Sequence, residues 1–315
     1  MKPKKALKIP LYIVVGPTAS GKSEFAVKLA KSLNKTGGAE IISADSRQVY
    51  KGLDIGSGKV DGQFKNTREG KSVYMYKGIP HYLIDVASPL RQFSVARFQK
   101  LAREAILDFL ARGKTPIICG GTGHWIDYVV FEQTMPEVKP DKKLRAELEK
   151  LTPAQMFAQL QKLDPARAKT IDPKNPRRLV RALEIVKTTG SSVPKLTNKP
   201  KIWNELNLKW IGINPSMETL EKKIAKRLEE RLRPSAGQGM LDEVKNLHAP
   251  KSGVGLSWKR LESFGLEYKF CSLYLQKKIT REELEEQLYR AIRQYAKRQL
   301  TWFKRNKDIK WLQDA

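Results

Sequence analysis

The stretch GPTASGKS, Gly16 to Ser23, stands between the apolar run LYIVV at 11–15 and the helix-spaced EFAVKLAKSL at 24–33. It matches the pattern G-x-x-x-x-G-K-[ST] throughout. Its glycines let backbone N–H groups turn inward on phosphate oxygens, where the dipole of the following helix adds attraction. Lys22 supplies a mobile positive charge and Ser23 a hydroxyl ligand for Mg²⁺. A loop of this kind placed after a strand and before a helix reads as a phosphate site. It says that a phosphorylated ligand binds, and leaves open what chemistry follows.

Working outward, the front third alternates strand and helix. Phe25, Ala26, Leu29, Ala30 and Leu33 recur at helical spacing. AEIISADS reads as a strand finishing at Asp45, HYLID as one finishing at Asp85, and KTPIICGGTG as one running into a glycine turn. A helix closed by Gly113 separates the last two. This order predicts an α/β, P-loop NTPase-like parallel sheet with helices on both faces. In such sheets ligands gather at the carboxyl ends of the strands, where Gly16–Ser23, Asp45, Asp85 and Gly120–Thr122 would all lie. The polar 56–80 segment reads as a surface loop or hairpin. From about Phe131 to Trp203, prolines 136, 140, 153, 165, 173, 176, 194 and 200 punctuate short helical segments. The expected division is a core from 1–130, a small helical insertion domain at 131–205, and a second part of the core at 206–315 ending in a long basic helix.

The chain has 315 residues, 40% apolar and 30% charged, and Lys and Arg number 60 against 33 Asp and Glu, a formal charge of +27. Self-repulsion opposes such an excess in a compact protein, and a polyanionic partner such as nucleic acid offsets it. A merely lysine-rich proteome is the other reading. No apolar run is long enough to span a bilayer, and the basic N-terminus reads as a tail leading into a strand rather than a signal peptide. Cys119 and Cys271 make neither a disulfide framework nor a metal-ligand spacing, so a reducing, cytoplasmic setting is expected.

Several residues carry candidate chemistry, each with a blander reading beside it. Asp45 is a general base facing the loop, or a turn carboxylate. Asp85 is a second Mg²⁺ ligand, or a cap before ASP. The glycines of GGTG admit a ligand or make a turn, and Thr122 offers a hydroxyl to a substrate. Arg177 and Arg181 lie four apart on one helix face, for phosphate contact or for pairing with acids such as Glu184. On the C-terminal helix, Tyr295 and Phe303 are expected to pack inward with Leu288 and Ile292, leaving a basic face for a nucleic-acid backbone.

GPTASGKS, IISADSRQVYKGLDIGSGK, PHYLIDVASP, FSVARF, PIICGGTG, NPRRLVRALEI and YAKRQLTWFKR occur in that order, and with them the chain resembles the tRNA dimethylallyltransferases (tRNA isopentenyltransferases). ADSRQVYKGLDIG and AKRQLTWF are the specific stretches. The resemblance implies transfer of a dimethylallyl group from dimethylallyl diphosphate to N6 of the adenosine just 3′ of the anticodon. The tRNAs would be those reading codons that begin with U, with Mg²⁺ assisting. It also implies a monomer that needs no membrane. A small-molecule or nucleoside kinase is the alternative. Carried over residue by residue, Gly16, Pro17, Thr18, Ala19, Ser20, Gly21, Lys22, Ser23 and Arg231 correspond to diphosphate contacts. Asp45 corresponds to the base, and Thr122 to the threonine near the reacting adenosine. Asp45, Ser46, Arg47, Gln48, Arg177, Arg178 and Arg181 correspond to tRNA contacts. Departures include His124-Trp125 after GGTG, DIGSGK, and Pro234 in the stretch after Arg231. The absence of a zinc-finger extension after Trp311 suggests a bacterial member.

Overall fold

The computed structural model describes residues 9–66, 70, 72–131, 138, 141–193, 206–250 and 253–313. The basic N-terminal tail, prolines 136, 140, 194 and 200, and Trp203 lie outside them. By compactness the chain divides into Met1–Val130 with Pro200–Ala315, and Phe131–Lys199.

The larger unit holds strands β1 (Ile9–Val15), β2 (Ala39–Ser43), β3 (Gln63–Asn66), β4 (Ser72–Tyr76), β5 (Ile79–Tyr82), β6 (Thr115–Gly120), β7 (Leu206–Ile213) and β8 (Lys310–Leu312). Its first helices are α1 (Lys22–Ser32), α2 (Val95–Ala111) and α3 (Gly123–Val130). The smaller unit holds α4 (Lys142–Leu148), α5 (Pro153–Leu163), α6 (Pro165–Ala168) and α7 (Pro176–Thr189). The larger unit resumes with α8 (Met217–Leu232), α9 (Met240–His248), α10 (Trp258–Phe264), α11 (Leu266–Leu275) and α12 (Arg281–Phe303).

The sheet order is β3-β4-β5-β2-β6-β1-β7-β8. Pairing is parallel from β5 to β8, but β3-β4-β5 is antiparallel. The sheet is therefore mixed. The 56–80 segment supplies its antiparallel edge, and Phe64 stacks edge-on against Tyr74 across that ladder. The central strands read as continuous apolar runs because both faces are covered. Val14, Ile41, Ile117 and Cys119 pack with Ala26, Val27 and Ala30 of α1. Their alternates Ile13, Val15, Ile42 and Ile118 point to the other face and are also fully buried. On α2, Phe98, Ala102, Ile106 and Phe109 are fully buried, and Phe109 meets Tyr82 of β5 edge-on. Ser94 caps α2 by accepting from the Arg97 N–H at 3.2 Å, a contact of about 1 kcal/mol.

Register places the site. Val15 lies level with Gly120 and Gly212, and Ser43 with Cys119. Three strands thus deliver Gly16, Ala44-Asp45 and Gly121 to one edge. Two strands stop short of the aspartates expected to end them. β2 ends at Ser43, and β5 ends at Tyr82, three residues before Asp85.

In the smaller unit, Leu148, Met156, Leu160, Leu179, Leu183 and Val186 form the core. Glu184 is fully buried there; its carboxylate accepts from Arg145 Nε at 2.8 Å, from an Arg181 guanidinium nitrogen at 2.6 Å and from the Asp141 N–H at 2.9 Å. The geometry assigns Arg181 to this internal pairing, with a second bond to the Val138 carbonyl. Of the two readings of the Arg177–Arg181 stripe, pairing with Glu184 is the one Arg181 takes, and the implied tRNA contact at Arg181 is set aside in its favour. Arg177 and Arg178 are exposed.

Candidate active site

A cavity of about 400 Å³ opens at the carboxyl edge of the sheet, within the range of small-molecule sites. Thr18, Ala19, Lys22 and Ser23 form its floor. The loop turns through left-handed backbone at Ala19 (φ 62°) and Gly21 (φ 91°), and Gly21 caps α1, so the free N–H groups of its first turn stay at the site. A Cβ on Gly16 would stand 2.6 Å from the Ile213 carbonyl oxygen, which requires glycine there. Lys22 Nζ donates to the Pro17 carbonyl at 3.1 Å. Burial lowers its pKa and Arg227 adds to this, against the raising fields of Cys119 and Asp45. Burial also pushes the Cys119 thiol up to about 11, so it is a poor nucleophile.

Asp45 follows β2 in a turn. Its Oδ1 accepts from the backbone N–H groups of Arg47 at 2.8 Å and Gln48 at 3.4 Å, while Oδ2 takes no hydrogen bond from the described residues. The turn-carboxylate reading is realised through Oδ1, in a residue that also lines the cavity. Thr122 Oγ1 accepts from the Ser46 N–H at 3.1 Å, and its hydroxyl lies near enough to the Tyr295 phenol to act on its pKa. Burial, with Asp45 nearby, pushes the Tyr295 phenol up to about 12. Tyr295 lines the cavity instead of packing wholly inward, whereas Phe303, Leu288 and Ile292 are buried as expected.

The opposite wall is α8. Arg227 and Arg231 both line the cavity, and Arg231 pairs with Glu267 at 3.5 Å. Burial and the neighbouring Arg231 bring Arg227 down to about 10. The helix ends at Leu232, so Pro234 follows it and leaves Arg231 in the last turn. Gly58 is left-handed (φ 62°), and a Cβ there would stand 2.2 Å from an Arg231 guanidinium nitrogen. The DIGSGK loop therefore rests on the two arginines. Glu243 holds this loop from beneath: its carboxylate accepts the N–H groups of Asp54, Ile55 and Gly56 at 3.0, 2.5 and 3.1 Å, and the Tyr268 hydroxyl at 2.8 Å. In all, Lys22, Arg47, Arg227, Arg231 and Arg298 face Asp45 and Glu267 around the cavity, a set that attracts a polyanion.

The expected residues distribute as follows. Thr18, Ala19, Lys22, Ser23, Asp45, Ser46, Arg47, Gln48 and Arg231 all line the cavity. Gly16, Pro17, Gly21 and Thr122 are not among its lining residues. Ser20 is buried with its hydroxyl unpartnered among the described residues. Asp85 does not line it. Its carboxylate pairs at 2.5 Å with Lys59, which also pairs with Asp54, and its backbone is left-handed (φ 55°). The chain thus turns Asp85 onto Lys59, away from the loop. The glycines of GGTG need no special φ; they admit close packing, since a Cβ would stand 2.2 Å from the Ala44 carbonyl oxygen at Gly120, from Gln299 Nε2 at Gly121 and from Trp302 Cδ1 at Gly123. The approaching groups are those of Ala44, Gln299 and Trp302. His124 and Trp125 lie off the cavity, Trp125 against Phe98 and His124 against Tyr128. Arg227, Glu243, Glu267, Arg298 and Gln299 were given no place in the cavity by the sequence, although Arg298 and Gln299 both lie inside AKRQLTWF.

Among the described residues no three His, Cys, Asp or Glu side chains could together hold a metal, and no helix is long and apolar enough to cross a membrane. A magnesium ion would thus have the Ser23 hydroxyl, ligand phosphate oxygens and water as its donors, which suits an ion bound through one or two protein ligands and phosphates.

Two family models match the chain, "IPP transferase" over residues 48–306 and "Isopentenyl transferase" over residues 9–79. A tRNA dimethylallyltransferase of Anoxybacillus flavithermus is 38% identical over 96% of this chain and 89% of its own length. A tRNA dimethylallyltransferase 2 of Treponema denticola is 43% identical over 93% and 91%. Among solved structures, the tRNA isopentenylpyrophosphate transferase of Bacillus halodurans superposes with a TM-score of 0.63 at 35% identity, covering 97% of this chain and 90% of that one. A eukaryotic dimethylallyltransferase acting on tRNA gives 0.73 at 27% identity, over 96% and 73%. The motifs, the P-loop fold and these matches place the chain in the IPP transferase family, the tRNA dimethylallyltransferases.

Proposed function

We propose that this protein transfers the dimethylallyl group of dimethylallyl diphosphate to N6 of the adenosine immediately 3′ of the anticodon in tRNAs reading codons that begin with U. The observation that carries the reading is the free Oδ2 of Asp45 at one side of a cavity whose other sides bear Lys22, Arg227 and Arg231. The names of the relatives support prenyl transfer over a kinase. The allylic C–O bond breaks as diphosphate leaves, and negative charge grows on oxygens faced by the loop amides, Lys22 and the two arginines. The adenine N6 forms the new C–N bond and becomes acidic as its lone pair is drawn in, and Asp45 Oδ2 accepts the proton. Mg²⁺, bound through the Ser23 hydroxyl, would neutralise charge on the departing diphosphate. Thr122 holds Ser46 in place beside Asp45. Exposed Arg177 and Arg178 would meet tRNA phosphates.

The test is nucleoside mass spectrometry after incubating the protein with Mg²⁺, dimethylallyl diphosphate and unmodified anticodon stem-loops. A gain of one dimethylallyl mass on the adenosine 3′ of the anticodon, absent with Asp45→Ala, is the expected result. No gain across several stem-loops, with phosphate transferred from ATP instead, would sink the proposal.

A further inference from the structure

Gln299 is a buried polar side chain with no direct part in the chemistry above. Its Oε1 accepts from the Thr18 backbone N–H at 2.8 Å, and its Nε2 donates to the Gly121 carbonyl at 2.9 Å. One turn earlier on α12, Tyr295 lies beside Thr122, and one turn later the Trp302 indole lies against Gly123 and donates to Asp127 at 3.0 Å. The spacing 295, 299, 302 puts all three on one helix face. That face therefore meets three consecutive residues of GGTG, and through Thr18 it also meets the phosphate loop.

We propose that Gln299 is a positioning residue that sets the phosphate loop against GGTG, so that α12 fixes the geometry of the diphosphate site. The inference rests on the reading of the cavity given above. The Thr18 N–H is committed to Gln299, so the diphosphate meets the loop's later amides and Lys22, in a conformation set by a helix 281 residues away. Gly121 is glycine because the amide of Gln299 occupies the place of its side chain. The Gly16 carbonyl oxygen, at 3.6 Å from that place, would be an ordinary contact.

The experiment measures calorimetric binding of inorganic pyrophosphate with Mg²⁺, together with KM for dimethylallyl diphosphate and affinity for an anticodon stem-loop. Gln299→Met keeps the length and loses both hydrogen bonds. It should weaken pyrophosphate binding and raise KM by about tenfold or more, with stem-loop affinity unchanged within about twofold. Gly121→Ala should reproduce the loss by displacing the amide. Gln299→Ala clears that space, so the double variant should bind pyrophosphate no more weakly than Gln299→Ala alone. Unchanged pyrophosphate affinity in folded Gln299→Met, or additive losses in the Gly121–Gln299 cycle, would overturn the inference. Should Gln299→Met fail to fold, the cycle decides. If the parent prenylates stem-loops and binds pyrophosphate but the variants behave as the parent, only this inference fails. A parent that binds no pyrophosphate overturns the reading of the site as well.

Discussion

The two oxygens of Asp45 carry different loads: Oδ1 holds the turn through Arg47 and Gln48, and Oδ2 takes no hydrogen bond from the described residues, in a side chain that lines the cavity. Asparagine can keep the first role and cannot perform the second. Asp45→Asn should therefore lower turnover by about 10²- to 10⁴-fold, with melting temperature and tRNA affinity near the parent's. Asp45→Ala should lose both activity and stability, and steady-state kinetics with thermal melts separates the two variants. Asp127 offers a second residue-scale test. Burial raises its pKa to about 6, against the lowering contributions of the Trp302 N–H and Arg305. A carboxyl raised on folding favours the folded state while protonated, and that contribution fades as pH rises through about 6. Tryptophan fluorescence should titrate with a midpoint near that value. Asp127→Asn, which can still accept the indole N–H, should abolish the transition; a titration that survives would show that another group causes it.

At the scale of elements, α7 joins an internal ion cluster to an exposed basic end. Burial of Glu184 acts to raise its pKa, but hydrogen bonds from Arg145, Arg181 and Asp141 outweigh it and hold the carboxyl down to about 2. A depressed carboxyl stabilises the fold above its ordinary range, and the stabilisation is lost as pH falls toward the folded value. The melting-temperature gap between the parent and Glu184→Gln should therefore be widest near neutrality and shrink as pH falls from about 4.5 to about 2. Arg177 and Arg178, one turn nearer the N-terminus, are free for phosphate. Replacing both with alanine should weaken stem-loop binding and make its log–log salt dependence shallower by about 1.4 to 1.8. An unchanged slope would remove them from the interface. Arg181→Ala should act mainly on stability, because it strips a partner from a buried carboxylate.

For the molecule as a whole, the +27 charge is the governing quantity. Like charges crowded on a compact surface repel, and salt screens them over a Debye length of about 8 Å at physiological strength. Raising neutral salt from low to physiological strength should increase the melting temperature, while the same change weakens tRNA affinity. A protein whose stability fell with added salt would instead depend on its surface ion pairs. The opposite responses of folding and binding have one source, since tRNA phosphates and salt both relieve the same repulsion.

The phosphate loop, the run of strands and helices, and the aspartate after β2 were legible in the sequence because they depend on local chemistry: glycine freedom, apolar periodicity and turn-forming side chains. The short helices after Phe131 and the basic stripe beginning at Arg177 were legible for the same reason. Contacts between distant segments were not. Asp85 and Asp45 look alike after apolar runs, yet a backbone turn and Lys59 draw only Asp85 away from the cavity. Arg181 shares a stripe with Arg177, but the third dimension brings Glu184 and Arg145 to it. Gln299, Glu243 and Arg227 bear on the site from helices far along the chain, and no spacing rule could assign them. Local pattern determined the strands, the phosphate loop and the turn at Asp45, because those follow from the backbone and the nearest side chains. Only the tertiary structure decided which charges line the cavity and which pair away from it, because burial and long-range contacts choose each charge's partner.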